Sequence, residues 1–385
     1  MTRRSNRIFW AISFQVATIH IFLGVFGPGQ TLLRNQQHTS LTIASLHGTA
    51  MGISSMLAGL AGPHVVHRFG RTSTSWIALG IFSGGVLIFV FSPPVQLTLF
   101  ATLVAGFGTS LGMNSMVAQL VHQFPIHPSK AVSQTTGIGS AGYVIGILSA
   151  GAIARTSLNW RLGVLVVVPL ALLLYLFTRR LLASDHTPEV SGRQRGSLNY
   201  KFWISWVGLT ACLATEFAIT FWAAALLKDR IGSTAAIATI CIVAVGVGMG
   251  LGRWFGPELL KGLDLDNQLK TTMAIAFIGF AAFWYSHLLW VSVLALLVAG
   301  LGMSMQYALA TTRLIAFSEK RPDLAMGRGS LAGGIAIAGA PLILGALGDN
   351  LGISRAYLMV PVLILIALIT IITIPSGQPT LQESV

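Results

Sequence analysis

Twelve apolar runs, each long enough to cross a bilayer as a helix and each closed off by charge or turn residues, constrain this chain more than any other feature. Crossing the hydrocarbon core takes about 20 such residues. The runs fall at roughly 8–28, 41–66, 74–93, 97–121, 131–154, 160–182, 201–227, 232–254, 270–288, 290–312, 327–348 and 355–375. They are continuous rather than alternating, which excludes a strand barrel. Only 9% of the residues are charged, against roughly a quarter in soluble domains. The chain reads as an all-α membrane protein of twelve transmembrane helices.

Basic residues then set the orientation. Arg3, Arg4, Arg7, Arg68, Arg71, Lys130, Arg179, Arg180, Arg193, Arg195, Lys201, Arg253, Lys261, Lys270, Lys320, Arg321 and Arg328 gather on one side, with Arg313 near it, while the other has Arg34, Arg155, Arg161, Lys228, Arg230 and Arg355. The positive-inside rule therefore places both termini in the cytoplasm of a multi-pass cell-membrane protein. The same bias accounts for the net charge of +13. Nucleic acid is not the expected partner, because these charges are dispersed over loops and leave no compact recognition domain; anionic membrane lipid is. The first run reads as a retained span, since no small-residue cleavage site stands out near residues 26–31. Cys212 and Cys241 both fall within runs and suggest neither disulfide nor metal; no metal or cofactor is expected.

The most polar connector, residues 183–200, divides the chain into an N-terminal bundle of six helices (1–182) and a C-terminal bundle of six (201–385). A weak repeat supports the division. Arg68-Phe69-Gly70 after the second run is echoed by Arg253-Trp254-Phe255-Gly256 after the eighth, and Arg161 before the sixth by Arg355 before the twelfth. Six-span halves of equal orientation imply a pseudo-twofold along the membrane normal. Glycine is dense in the second, fifth, eighth and eleventh runs, which should pack closely on other helices; the twelfth, rich in Leu, Ile and Val, should face lipid. Residues 137–142, GIGSAG, match the dinucleotide fingerprint in letters only, with no strand before them and no acid about 20 residues on.

Two six-helix halves, a central polar loop and a basic turn after the second span together resemble the major facilitator superfamily. Its turn reads Gly-x-x-x-Asp-Arg-x-Gly-Arg-Arg, and here Arg68, Gly70 and Arg71 stand in register, with Pro63, His67 and Thr72 replacing the first glycine, the aspartate and the last arginine. The resemblance implies a conformational latch at His67, Arg68, Gly70 and Arg71, with Arg253 as the repeat counterpart; without the fixed negative charge the latch should be weakened or pH-sensitive. The competing reading makes Arg68 and Arg71 headgroup anchors. The resemblance further implies that the first, fourth, seventh and tenth spans line a central cavity. The fifth span has the glycine spacing of the family's antiporter signature without its proline, which leaves direction open.

Residues 1–184 contain no acid, and Glu216 alone lies near the middle of a span. Charge inside a membrane is costly and marks function by default, and a carboxylate away from water favours its neutral acid, so Glu216 is the candidate proton-coupling group. The alternative is a protonated Glu bonded to a neighbouring helix. His20 and His47 are its candidate partners, each also readable as an internally bonded core histidine. Candidate substrate-binding residues are Gln15, Thr18, Asn114, Gln119, Trp222, Gln306, Tyr307 and Arg313, the last equally able to snorkel to headgroups. No nucleotide loop or nucleophile constellation points to an enzyme. The reading is a monomeric secondary transporter that moves a small organic solute, an amphipathic drug-like compound or weak organic acid, by alternating access with proton coupling. An uncoupled uniporter and a non-transporting sensor of the same fold are the alternatives.

Overall fold

A computed structural model describes residues 3–124, 128–182, 196–319 and 321–376, and the described residues form helices joined by short turns, with no strand among them. The first half comprises α1 (Arg3–Phe26), α2 (Gln30–Gln37), α3 (Leu41–Phe69), α4 (Arg71–Phe91), α5 (Val95–Gln123), α6 (Pro128–Ile153), α7 (Leu162–Leu165) and α8 (Val167–Leu182). The second comprises α9 (Tyr200–Ile231), α10 (Ala235–Cys241), α11 (Val243–Leu259), α12 (Leu265–Tyr285), α13 (Leu289–Met303), α14 (Gln306–Ala316), α15 (Pro322–Leu351), α16 (Ile353–Ala356) and α17 (Met359–Thr373). Among the described residues, 11 helical stretches are long and apolar enough to span a membrane. The remaining one, α12, has 21 residues; Asp266, Gln268 and Lys270 in its first turns dilute its hydropathy. The fold is the expected two-bundle, twelve-helix arrangement. Residues 183–195 of the expected linker lie outside the described residues.

Local chemistry places the helix ends. The side chains of Ser40, Asn199 and Asp264 accept the backbone N–H groups of Ile43, Phe202 and Asn267 at 3.2, 3.0 and 2.7 Å, satisfying donors that a helix N-terminus leaves without partners. Gly232 closes α9 in the left-handed conformation at φ 69°. The tenth span is not one helix: its ladder breaks at Ser304–Met305, between α13 and α14.

Small residues decide which helices touch. A Cβ at Gly142 or Gly146 on α6 would fall on the carbonyl oxygen of Ala17 or Ile21 on α1, so that crossing depends on glycine. The four glycine-dense spans pair across the halves, α3 with α15 and α6 with α11. Gly52 lies against the backbone of Gly334 and Ala338, and Gly246 against Tyr143 and Val144. The outward side of α17 exposes Val362, Leu365, Ile369 and Ile372, as a lipid-facing helix would.

The α3–α15 seam is closed at the end of the bundle opposite residues 3 and 376, called outer below. There Asp349, at the end of α15, caps the start of α3: its carboxylate accepts the Leu41 and Thr42 N–H groups at 2.9 and 2.8 Å and the Thr42 hydroxyl at 2.6 Å. Deeper, the Ser45 hydroxyl donates to the Pro341 carbonyl at 2.8 Å and the Thr49 hydroxyl to that of Ala338 at 3.0 Å. The seam reaches Met56 against Gly334, while Gly59, one turn further in, faces open space.

Candidate functional site

Helices α1, α3, α6, α9 and α11 enclose a cavity of about 130 Å³ between the halves. His20, Ser140, Tyr143, Glu216 and Arg253 supply its polar wall, and Phe26, Met51, Phe217, Phe221 and Met249 its apolar one. Glu216 sits midway along the 32 residues of α9, about 24 Å from either end at 1.5 Å per residue. Arg253 reaches the cavity because it shares a face of α11 with Gly246 and Met249, seven and four residues earlier. Its Nη1 donates to Ser140 Oγ at 3.0 Å and its Nε to the Ser304 carbonyl at 3.4 Å, the latter lying at the break in the tenth span. Glu216 and Arg253 are close enough to interact electrostatically, and Tyr143 feels both. The cavity thus holds an acid and a guanidinium group in surroundings otherwise mostly aromatic and apolar.

The outer roof is made of rings. Phe26 on α1 meets Phe221 on α9 edge to face at 5.5 Å, and Phe217 follows at 6.3 Å. Above them the Trp222 indole donates to the Pro341 carbonyl at 3.1 Å, which joins α9 to the seam helix α15.

Of the residues singled out from sequence, the structure brings His20, Glu216 and, from the expected latch, Arg253 to this cavity. The His20 ring accompanies its helix backbone, with Nδ1 2.9 Å from the Val16 carbonyl. His47 does not line the cavity: it is fully buried in the first half, bonded between the Ala44 carbonyl (3.0 Å) and the Thr98 hydroxyl (2.8 Å) rather than to the carboxylate it was expected to partner. Gln15 is buried with neither amide atom bonded among the described residues. Thr18 donates to the Phe14 carbonyl at 2.8 Å, Gln119 and Gln306 make long contacts of 3.5 Å to Thr72 and Thr272, and Asn114 is exposed. Trp222 is committed to the seam, and Tyr307 is 52% exposed. None of these eight, Arg313 included, lines the cavity.

Arg313 neither snorkels nor faces a solute: it is 2% exposed, and its Nε donates to Asp266 Oδ1 at 3.0 Å. Its Nη2 donates to the carbonyls of Thr370 and Ile374. The second Asp266 oxygen accepts the Ser376 N–H at 2.6 Å. This cluster ties α12, α14 and the end of α17 together.

Sequence reasoning also put Arg253 in a turn after the eighth span, as the counterpart of the Arg68 turn in the other half. The structure places it inside α11, which continues through Pro257 to Leu259, because a proline two residues from a helix end removes little of the ladder. Tyr143 and Ser140 were passed over; the available signal was that Ser140 and Tyr143 follow Thr136 by four and seven residues, with Gly146 three residues further on the same face of α6. At the turn itself, Gly70 takes φ 77°, which favours glycine, between α3 and α4. His67 and Arg68 are exposed, Arg68 stacks 5.4 Å over Phe69, and among the described residues none of His67, Arg68 and Arg71 bonds to the second half.

Comparisons with known proteins agree with this architecture. A sequence profile of the Major Facilitator Superfamily matches residues 12–318, well over half the chain. Among solved structures, the nucleoside transporter NupG superposes with a TM-score of 0.74 at 11% identity, over 96% of this chain and 99% of that one. A bacterial homologue of the human lysosomal transporter Spinster, in an inward-facing and occupied conformation, superposes with a TM-score of 0.72 at 13% identity, over 99% and 100% of the two chains. At such identities the likeness is one of fold. A search of curated protein sequences finds no significant match. The chain belongs to the Major Facilitator Superfamily and is a multi-pass membrane transporter.

Proposed function

We propose that the chain is a proton-coupled secondary transporter of a small organic anion in the cell membrane, with both termini cytoplasmic. The observation that carries this reading is the placement of Glu216 and Arg253 together in the wall of one small cavity between the halves. Arg253 offers a planar fork of donors suited to a carboxylate, and Glu216 offers a proton site. In the empty protein the two charges offset each other. An anion that takes Arg253 leaves the Glu216 carboxylate without that compensation, and it takes a proton, so solute and proton are carried together and the loaded cavity is close to neutral. A neutral load lowers the cost of moving the site past a low-dielectric barrier.

The cavity volume supports a small solute over a drug-sized one: about 130 Å³ is the liquid share of roughly four waters, whereas drug-sized ligands occupy several hundred Å³. Alternating access would proceed by parting the outer α3–α15 seam and its Phe26–Phe221 roof while the inner ends of the halves close, with the glycine faces as sliding surfaces. The test is internal pH, followed with a dye in proteoliposomes as small carboxylates, lipophilic cations and sugars are added to wild type and to Glu216→Gln. Acidification driven by a small carboxylate alone, and lost in the variant, is the expected result. Carboxylate entry without proton flux in the wild type would overturn the coupling, and transport of the cations alone would overturn the substrate class.

A further inference from the structure

At the inner end of the first half, well away from the central cavity, α4 and α8 part to leave a groove of about 610 Å³. Gly70, Ser73 and Trp76 form one wall, and Tyr175, Arg179 and Arg180 the other. The groove is built rather than incidental. The Thr72 hydroxyl donates to the Leu182 carbonyl at 2.9 Å and ties its walls together. Trp76 meets Tyr175 edge to face at 5.4 Å, and the Arg179 guanidinium stacks 5.2 Å over the Tyr175 ring. The Trp76 indole N–H is buried and has no acceptor among the described residues. No side chain caps the start of α4 at Gly70, so the first-turn amides add further donors.

Apart from the Leu182 carbonyl, which Thr72 occupies, the polar groups of the groove can donate or are positive, and no acid occurs in residues 1–184. Among the described residues Arg179 touches only Tyr175 of its own helix, whose hydroxyl lies 3.5 Å away, and no carboxylate lines the groove to receive an ammonium headgroup. Directly along α8 from the arginines, Leu172, Leu176 and Phe177 are 57%, 54% and 81% exposed. The order is that of a phospholipid, with apolar surface for chains running up to a basic, aromatic-lined recess where the apolar span ends. We propose that this groove binds the headgroup phosphate of an anionic phospholipid, whose chains lie on the exposed face of α8. The lipid would bridge the start of α4 to the end of α8 beside the Gly70 turn, where α3 and α4 join.

Native mass spectrometry of the full-length protein, titrated with dioleoylphosphatidylglycerol and with dioleoylphosphatidylcholine, tests the site. Two interfacial arginines give an expected preference for the glycerol lipid of about 30-fold. Ser73→Glu places a carboxylate among the arginines at a first-turn position that itself favours the helix, and it should abolish the preference without loss of folding. Arg179→Gln with Arg180→Gln should do the same, while Arg328→Gln, an exposed arginine of the other half stacked on Trp203, should leave it unchanged. Equal binding of the two lipids by wild type, or an undiminished preference in Ser73→Glu, would overturn the proposal. Displacement of the bound lipid by millimolar inorganic phosphate would make this a site for free anions and would overturn it as a lipid site.

Discussion

Removal of the Asp349 carboxylate isolates the contribution of the outer cap to the conformational balance. In the closed outer end this group accepts two backbone N–H groups of α3 and one hydroxyl, and it places a negative charge at the positive end of a 29-residue helix. A side-chain cap contributes about 1 kcal/mol and a charge at a helix terminus about 0.3–1 kcal/mol more. Two features keep the sum low. Asp349 is exposed, so its charge is screened, and Ser40 caps Ile43 independently, so α3 keeps part of its cap when the seam opens to water. About 1–2 kcal/mol remains, which means Asp349→Ala should raise the open-to-closed ratio of the outer end by about 5–30-fold. Asp349→Asn, which retains one acceptor, should fall between. The assay is labelling of Thr220→Cys, a cavity residue, by an impermeant maleimide added to the outer side of a variant lacking Cys212 and Cys241. A rate unchanged by Asp349→Ala would refute the argument that this cap holds the seam shut.

Other changes have definite expected outcomes. Arg313→Met leaves Asp266 without its partner in a side chain only 12% exposed, and should cost about 3–5 kcal/mol in detergent unfolding, whereas Arg313→Met with Asp266→Leu should recover most of the loss. Gly142→Val drives a side chain into the Ala17 carbonyl and should cost about 1–3 kcal/mol in the same assay; near-wild-type stability would show that α1 and α6 can separate freely. Arg253→Lys keeps the charge but not the fork, and should weaken anion binding by about 10–100-fold, read as a rise in KM for uptake. His47→Gln, at a residue that does not line the cavity and bonds to Thr98 instead, should leave the pH profile of transport unchanged.

How much of this was legible depended on whether the relevant physics was local. The spans were readable because desolvation in a bilayer acts on each run by itself, and even α12, whose first turns are polar, kept enough apolar residues to be found. Glu216 was found by counting, since depth along a helix is set by rise per residue. Arg253 was misplaced because Arg-Trp-Phe-Gly resembles the turn after α3, while the fact that mattered, that α11 runs on past Pro257, lies in the helix ladder. Arg313 could be seen as costly but not as paired: its partner Asp266 is 47 residues away at the mouth of another helix. The outer cap was the least visible, since Asp349 and Thr42 are 307 residues apart and nothing near either residue marks the other.

The most direct measurement of the central claim is the number of protons taken up for each anion bound, obtained by isothermal titration calorimetry of a small carboxylate in two buffers of different ionisation enthalpy. If Arg253 takes the anion and Glu216 the proton, the wild type should take up close to one proton per anion, and its affinity should weaken by up to about tenfold per pH unit as pH rises. Glu216→Gln should bind with no linked proton and no such pH dependence. Binding by the wild type without proton uptake, or an undiminished linkage in Glu216→Gln, would contradict the account.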